Sequence, residues 1–102
     1  MKASNIKVKL ENLVTHQGDF SDSSFKMKCD ASYEDLMLVL EGDKRRVRLH
    51  ARNINNAHLE KDALRISGMN FEVTEDDKPS VVSGAVRLEL GDEAEKWYNE
   101  IW

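Results

Sequence analysis

Apolar and polar residues alternate with a period of two along most of this chain, and the period changes once, near the C-terminal end. Alternation of that kind marks a strand with one buried face, whereas a repeat at i, i+3, i+4 and i+7 marks a helix with one buried stripe. Asn5 to Glu11 reads as the first strand, with Ile6, Val8 and Leu10 on one face and Lys7, Lys9 and Glu11 on the other; Leu13 and Val14 extend it past a bulge. His16 to Ser24 is a polar loop whose single Phe20 is expected to tuck under the β structure. Phe25, Met27 and Cys29 then alternate with Lys26, Lys28 and Asp30. Ser32 to Asp35 reads as a turn, and the apolar run Leu36 to Leu40 as a strand buried on both faces. Glu41-Gly42-Asp43-Lys44 is a hairpin turn, and the return strand puts Val47, Leu49 and Ala51 inward with Arg46, Arg48, His50 and Arg52 outward.

Asn53 to Asp62 keeps only an irregular period and is expected to be a loop with a short strand. Leu64 and Ile66 before Ser67-Gly68, with Met69, Phe71 and Val73 after it, predict a tight hairpin. A turn over Glu75 to Ser80 leads into a last strand from Val81 to Leu90. From Ala94 the spacing becomes helical: Ala94, Trp97, Tyr98, Ile101 and Trp102 form one stripe, with Asp92 and Glu95 as a capping box. Two Trp and a Tyr on three turns of helix imply a lid over a large apolar surface. The fold class is therefore mainly β: a single domain over residues 1–102, an antiparallel barrel or roll of about seven strands capped by a C-terminal amphipathic helix.

Composition narrows the function. Net charge is −4, but residues 1–52 hold 10 Lys/Arg against 8 Asp/Glu (+2), while residues 53–102 hold 5 against 11 (−6). An acidic chain is not built for general nucleic-acid binding, so any anion site is local. No apolar run is long enough to span a bilayer, and Met1 to Ser4 runs straight into alternation rather than a signal-peptide core. The lone Cys29 has no disulfide partner and lies on the apolar phase of its strand, which points to a buried, inert thiol and a reducing, cytoplasmic setting.

Seven short strands closed by a terminal amphipathic helix resemble the pleckstrin-homology superfold. Asn70 to Thr74 and Ala85 to Ile101, the last third of the chain, carry the resemblance: an aromatic-centred strand, a final strand, and a helix with Trp97 followed four residues later by Ile101. In phosphoinositide-binding members, basic residues on the first two strands hold the headgroup. The resemblance implies that role for Lys7, Lys9, Lys26 and Lys28. A second resemblance comes from Arg48-Leu49-His50-Ala51-Arg52, whose R-x-x-x-R spacing is similar to the arginine motif of PilZ domains, barrels that bind cyclic di-GMP. Arg46, Arg48 and Arg52 then become ligand candidates, since guanidinium forks suit phosphates.

Catalytic chemistry has little to work with. His16, His50 and His58 are far apart, and neither metal-ligand spacing, a nucleophile motif, nor a glycine-rich phosphate loop is present, so no cofactor or metal is expected. The reading that results is a non-catalytic binding or adaptor domain that contacts another protein, with an anionic-ligand receptor (phosphoinositide headgroup or cyclic di-GMP) as the alternative.

Overall fold

The computed structural model describes residues 1–102. Seven strands, β1 (Lys2–Gln17), β2 (Phe25–Glu34), β3 (Met37–Glu41), β4 (Arg45–His50), β5 (Ile54–Glu60), β6 (Ala63–Glu75) and β7 (Lys78–Glu89), precede one helix, α1 (Ala94–Ile101). All pairings are antiparallel, in the order β4-β3-β2-β1-β7-β6-β5. Arg45–Arg48 of β4 also pair with Glu72–Glu75 of β6. This contact closes a six-strand barrel and leaves β5 as an extra strand along the first half of β6.

Inward alternation builds one core. Val8, Leu10, Leu38, Leu40, Val47, Leu49, Leu64, Ile66, Val73, Val82, Val86 and Leu88 are each at most 2% exposed. The strands β1 and β6 are long enough to need bending, and Asn supplies it three times. Asn5, Asn12 and Asn70 take φ of 52°, 55° and 50° at three of the four places where those strands carry an extra residue, the fourth lying between Thr15 and Gln17. Asn tolerates this left-handed conformation better than other non-glycine residues, and each extra residue kinks its strand. Two of the freed amides find side-chain acceptors: Asn5 N–H donates to Asp30 Oδ1 and Asn70 N–H to Ser83 Oγ.

α1 closes one end of the barrel, with Ala94, Trp97 and Ile101 buried. Phe20 closes the other. Its ring lies edge-on to Phe25 at 5.6 Å, and the Arg45 guanidinium sits 5.2 Å from the Phe20 centroid and 4.3 Å from that of Phe25. Arg45 also bridges Asp22 at 2.7 Å and Glu75 at 2.6 Å, pinning the 18–24 loop to the barrel rim.

Several expectations are corrected. The turn between β2 and β3 is Asp35-Leu36, both with positive φ, so Leu36 is 58% exposed rather than part of a buried strand. β3 has one buried face, not two: Leu38 and Leu40 point in while Met37 and Val39 are half-exposed. Residues 53–62 contain β5, a full strand whose face is mostly polar because only Ala57 is buried, which is why its period is weak. Ser67-Gly68 is not a hairpin; β6 runs straight through it and bulges at Met69-Asn70. Ala51 and Arg52 leave β4 in a short 3-10 turn, Ala51–Asn53. Asp92 and Glu95 form no capping box, because Gly91–Glu93 is itself a 3-10 turn and no side chain caps α1. Trp102 drops out of the helix stripe and is 56% exposed.

Candidate functional site

Lys7 and Lys9 alternate with the buried Val8 and Leu10 on β1, so their side chains stand outside the barrel. Lys26 and Lys28 do the same on β2 around Met27. The register sets Lys7 directly opposite Lys28 and Lys9 directly opposite Lys26. Lysine thus faces lysine twice on neighbouring strands, about 5 Å apart at Cβ.

The row continues on the far side of β1. Lys9 is opposite Arg87 of β7, Arg87 is opposite Arg65 of β6, and Arg65 is opposite His58 of β5. Lys26, Lys9, Arg87, Arg65 and His58 therefore form one basic line across five strands. Arg65 and Arg87 belong to this site and are not among the sequence candidates. Both show the outward phase of their strands, but only the pairing of β7 with β1 reveals which residues they stand beside.

Carboxylates hold the arginine end. Arg87 meets Glu60 at 3.3 Å and Glu89 at 3.2 Å, and Glu11 lies 3.7 Å from Lys9 and 3.9 Å from Arg65. Lys7, Lys26 and Lys28 make no ion pair. Between them lies an open groove of about 550 Å³, walled by five cations (Lys7, Lys9, Lys26, Lys28 and Arg87) against one carboxylate, Glu89.

The arginine candidates are disposed differently. Arg46 and Arg48 share the outer face of β4, but Arg52 has turned away in the 3-10 segment, so the three do not form one row. Arg46 bridges Glu41 at 2.6 Å, and this hydrogen-bonded carboxylate holds the guanidinium above its ordinary pKa. Arg48 stands opposite Glu72 of β6. Asp30 of β2 and Glu41 of β3 lie in line with Arg46 and separate these arginines from the lysines.

The histidines stay apart. His16 Nε2 lies 2.7 Å from Ser83 Oγ, His50 Nδ1 accepts from Arg52 N–H, and His58 contacts Asn56. No group of three His, Cys, Asp or Glu side chains converges in a way that would hold a metal ion. Cys29 is buried, and desolvation, then the neighbouring Asp30 charge, push its thiol up to about 11, so it stays protonated at neutral pH. No helix is long and apolar enough to cross a membrane. No protein-family model, curated protein or solved structure matches this chain, and the lysine-lined outer face of β1, β2 and β7 is accordingly the feature on which a functional reading rests.

Proposed function

We propose that this domain is a non-catalytic docking module that holds a protein partner by an acidic surface, through the outer face of β2, β1 and β7. One observation carries the reading: in a chain of net charge −4, Lys7 faces Lys28 and Lys9 faces Lys26, and of these four only Lys9 has a carboxylate partner, Glu11 at 3.7 Å. Like charges directly opposite one another on a sheet cost a few tenths of a kcal/mol each, and folding gains nothing from them. Carboxylates of a partner relieve that repulsion on docking and steer its approach. The separation of the three histidines and the buried protonated Cys29 support the non-catalytic part of the proposal.

The alternative reading, a receptor for a small phosphate-bearing ligand, draws on the groove itself. Its volume of about 550 Å³ falls in the range of small-molecule sites, about 300–1,000 Å³. The pleckstrin-homology resemblance favours the same four lysines. Both readings use the lysine candidates of β1 and β2 rather than the arginine candidates of β4.

Titration with two probes, capped hexaglutamate and inositol hexakisphosphate, followed by amide chemical shifts, tests the proposal. Saturable shifts at residues 7–9, 26–28 and 87, weakening as salt is raised and abolished by Lys9→Glu with Lys26→Glu, are expected. Tighter binding of the carboxylate probe favours the docking module, and tighter binding of the phosphate probe favours the receptor. Absence of any saturable shift on this face at low salt, or shifts confined to residues 46–52, overturns both.

A further inference from the structure

We infer that the occupant of this face is an extended acidic segment of another protein, about six residues long, lying across the strands from β2 to β5 rather than along them. The inference rests on the docking reading above and adds to it the form and direction of the ligand.

Direction comes from the arrangement of charge. Along β1, β2 and β7 the outward cations soon meet a carboxylate: Lys7 and Lys9 are followed by Glu11, Lys26 and Lys28 by Asp30, and Arg87 by Glu89. Across the strands the line Lys26, Lys9, Arg87, Arg65, His58 is unbroken, because each residue is the register partner of the next. An anion chain laid along a strand alternates between attraction and repulsion, whereas one laid across them meets a basic side chain at every strand, with Glu11, Glu60 and Glu89 beside the arginine end.

Length follows from sheet geometry. Five strands at about 4.8 Å spacing place the ends of the line about 19 Å apart along the sheet, and an extended peptide covers that in about six residues at about 3.3 Å each. Alternate side chains face the sheet, so about three of the six reach the line. That number matches the charge. The four cations on the line, Lys9, Lys26, Arg65 and Arg87, are countered by Glu11, Glu60 and Glu89, and Lys7 and Lys28 flank its lysine end without an ion pair, so the line and its flank together carry a surplus of three.

The chemistry follows from what already sits there. Glu60 and Glu89 on Arg87, and Glu11 between Lys9 and Arg65, are carboxylates bound at 3.2–3.9 Å to members of the line. A partner's Glu or Asp side chains repeat those contacts at the unfilled lysine end and exchange with them at the arginine end. The wall is curved, so the occupant is a flexible extended chain rather than a rigid helix.

The test uses two capped peptides on the intact domain: a hexapeptide of alternating Glu and Ser, and the dipeptide Glu-Ser. The hexapeptide is expected to shift amides from residue 26 through residues 9, 87 and 65, and the dipeptide only those around the lysines. Two additional facing carboxylates are expected to tighten binding on the order of tenfold, at a factor of about 2–5 for each exposed pair. Arg65→Ala is expected to weaken the hexapeptide about 2–5-fold and leave the dipeptide unchanged; Arg65→Gln, which keeps most of the side-chain stem, guards against loss of folding. If both peptides shift the same residues and neither Arg65 variant matters, the line is not read as a line, although docking at the lysines stands. If inositol hexakisphosphate binds and the hexapeptide does not, the occupant is a phosphate compound and this inference falls. If no probe binds, it falls together with the docking reading.

Discussion

Replacing Trp97 by alanine is the most direct test of how the barrel is closed. Trp97 is 1% exposed and is the largest fully buried side chain in the molecule. A buried Trp removes about 200 Å² from water, worth about 5 kcal/mol at about 25 cal/mol per Å². Alanine keeps its own methyl group and α1 can settle partway into the space, so the expected loss is about 3–5 kcal/mol, the range of large aromatic truncations in cores. Against a total stability of about 5–15 kcal/mol for a domain of this kind, that is a large fraction. Urea unfolding followed by far-ultraviolet circular dichroism measures it, and the midpoint is expected to fall by about 2 M at an m-value of about 2 kcal/mol per M. Trp102→Ala is the control: at 56% exposure its removal is expected to change stability by no more than about 0.5 kcal/mol. A loss below about 1 kcal/mol for Trp97→Ala would mean that α1 is not a structural lid.

Three further perturbations address other parts of the fold. Arg45→Ala removes two ion pairs and the cation over Phe20 and Phe25; a loss of about 1–3 kcal/mol is expected, with Arg45→Lys recovering only part because an ammonium lacks the planar fork. Cys29 gives a pH signature. The unfolded thiol loses its proton near 9, while the folded one keeps it to about 11. Its contribution is therefore complete below pH 9 and declines as pH rises from 9 to 11, by up to about 2–3 kcal/mol. Comparing wild type with Cys29→Ala by denaturation at pH 8 and pH 10.5 isolates that slope, and parallel declines in the two proteins would refute it. Gly84→Ala is expected to cost about 1–3 kcal/mol in thermal or urea unfolding, because a Cβ there would meet the Glu11 carbonyl at 2.8 Å and the Asn12 carbonyl at 3.0 Å at the β1 bulge; a neutral result would mean that the bulge yields.

The strands with a clean alternation were legible in the sequence, and the elements that depend on distant partners were not. Val8 and Leu10, or Val86 and Leu88, announce their buried face directly. β5 does not, since its burial depends on one small residue, Ala57, under α1. Ser67-Gly68 carries the local chemistry of a turn, yet β6 passes through it because β5 and β7 pair on either side and Asn70 absorbs the extra residue. The site shows the same division. Lys7, Lys9, Lys26 and Lys28 could be placed on outward faces of consecutive strands and do meet. Arg65 and Arg87 join them only through the pairing of β1 with β7, a contact that no local pattern encodes. The arginines Arg46, Arg48 and Arg52 are candidates in sequence through their spacing, but spacing says nothing about Glu41 and Glu72 on the strands beside β4.

The side-by-side placement of β1 and β7 also bears on how the chain reaches its native state. Val8 finds its partner Leu88 eighty residues later, so the wall cannot be completed until nearly all of the sequence is available. The β1–β4 meander can zip up early through successive neighbours, but until β7 arrives it is an open sheet with unpaired rims and an uncovered apolar surface. Topologies dominated by such distant pairings fold in about milliseconds to seconds rather than microseconds. A chain released before β7 is made would therefore be a target for chaperones and aggregation, and variants that weaken the β1–β7 seam should reduce the yield of folded protein more than their equilibrium stability suggests.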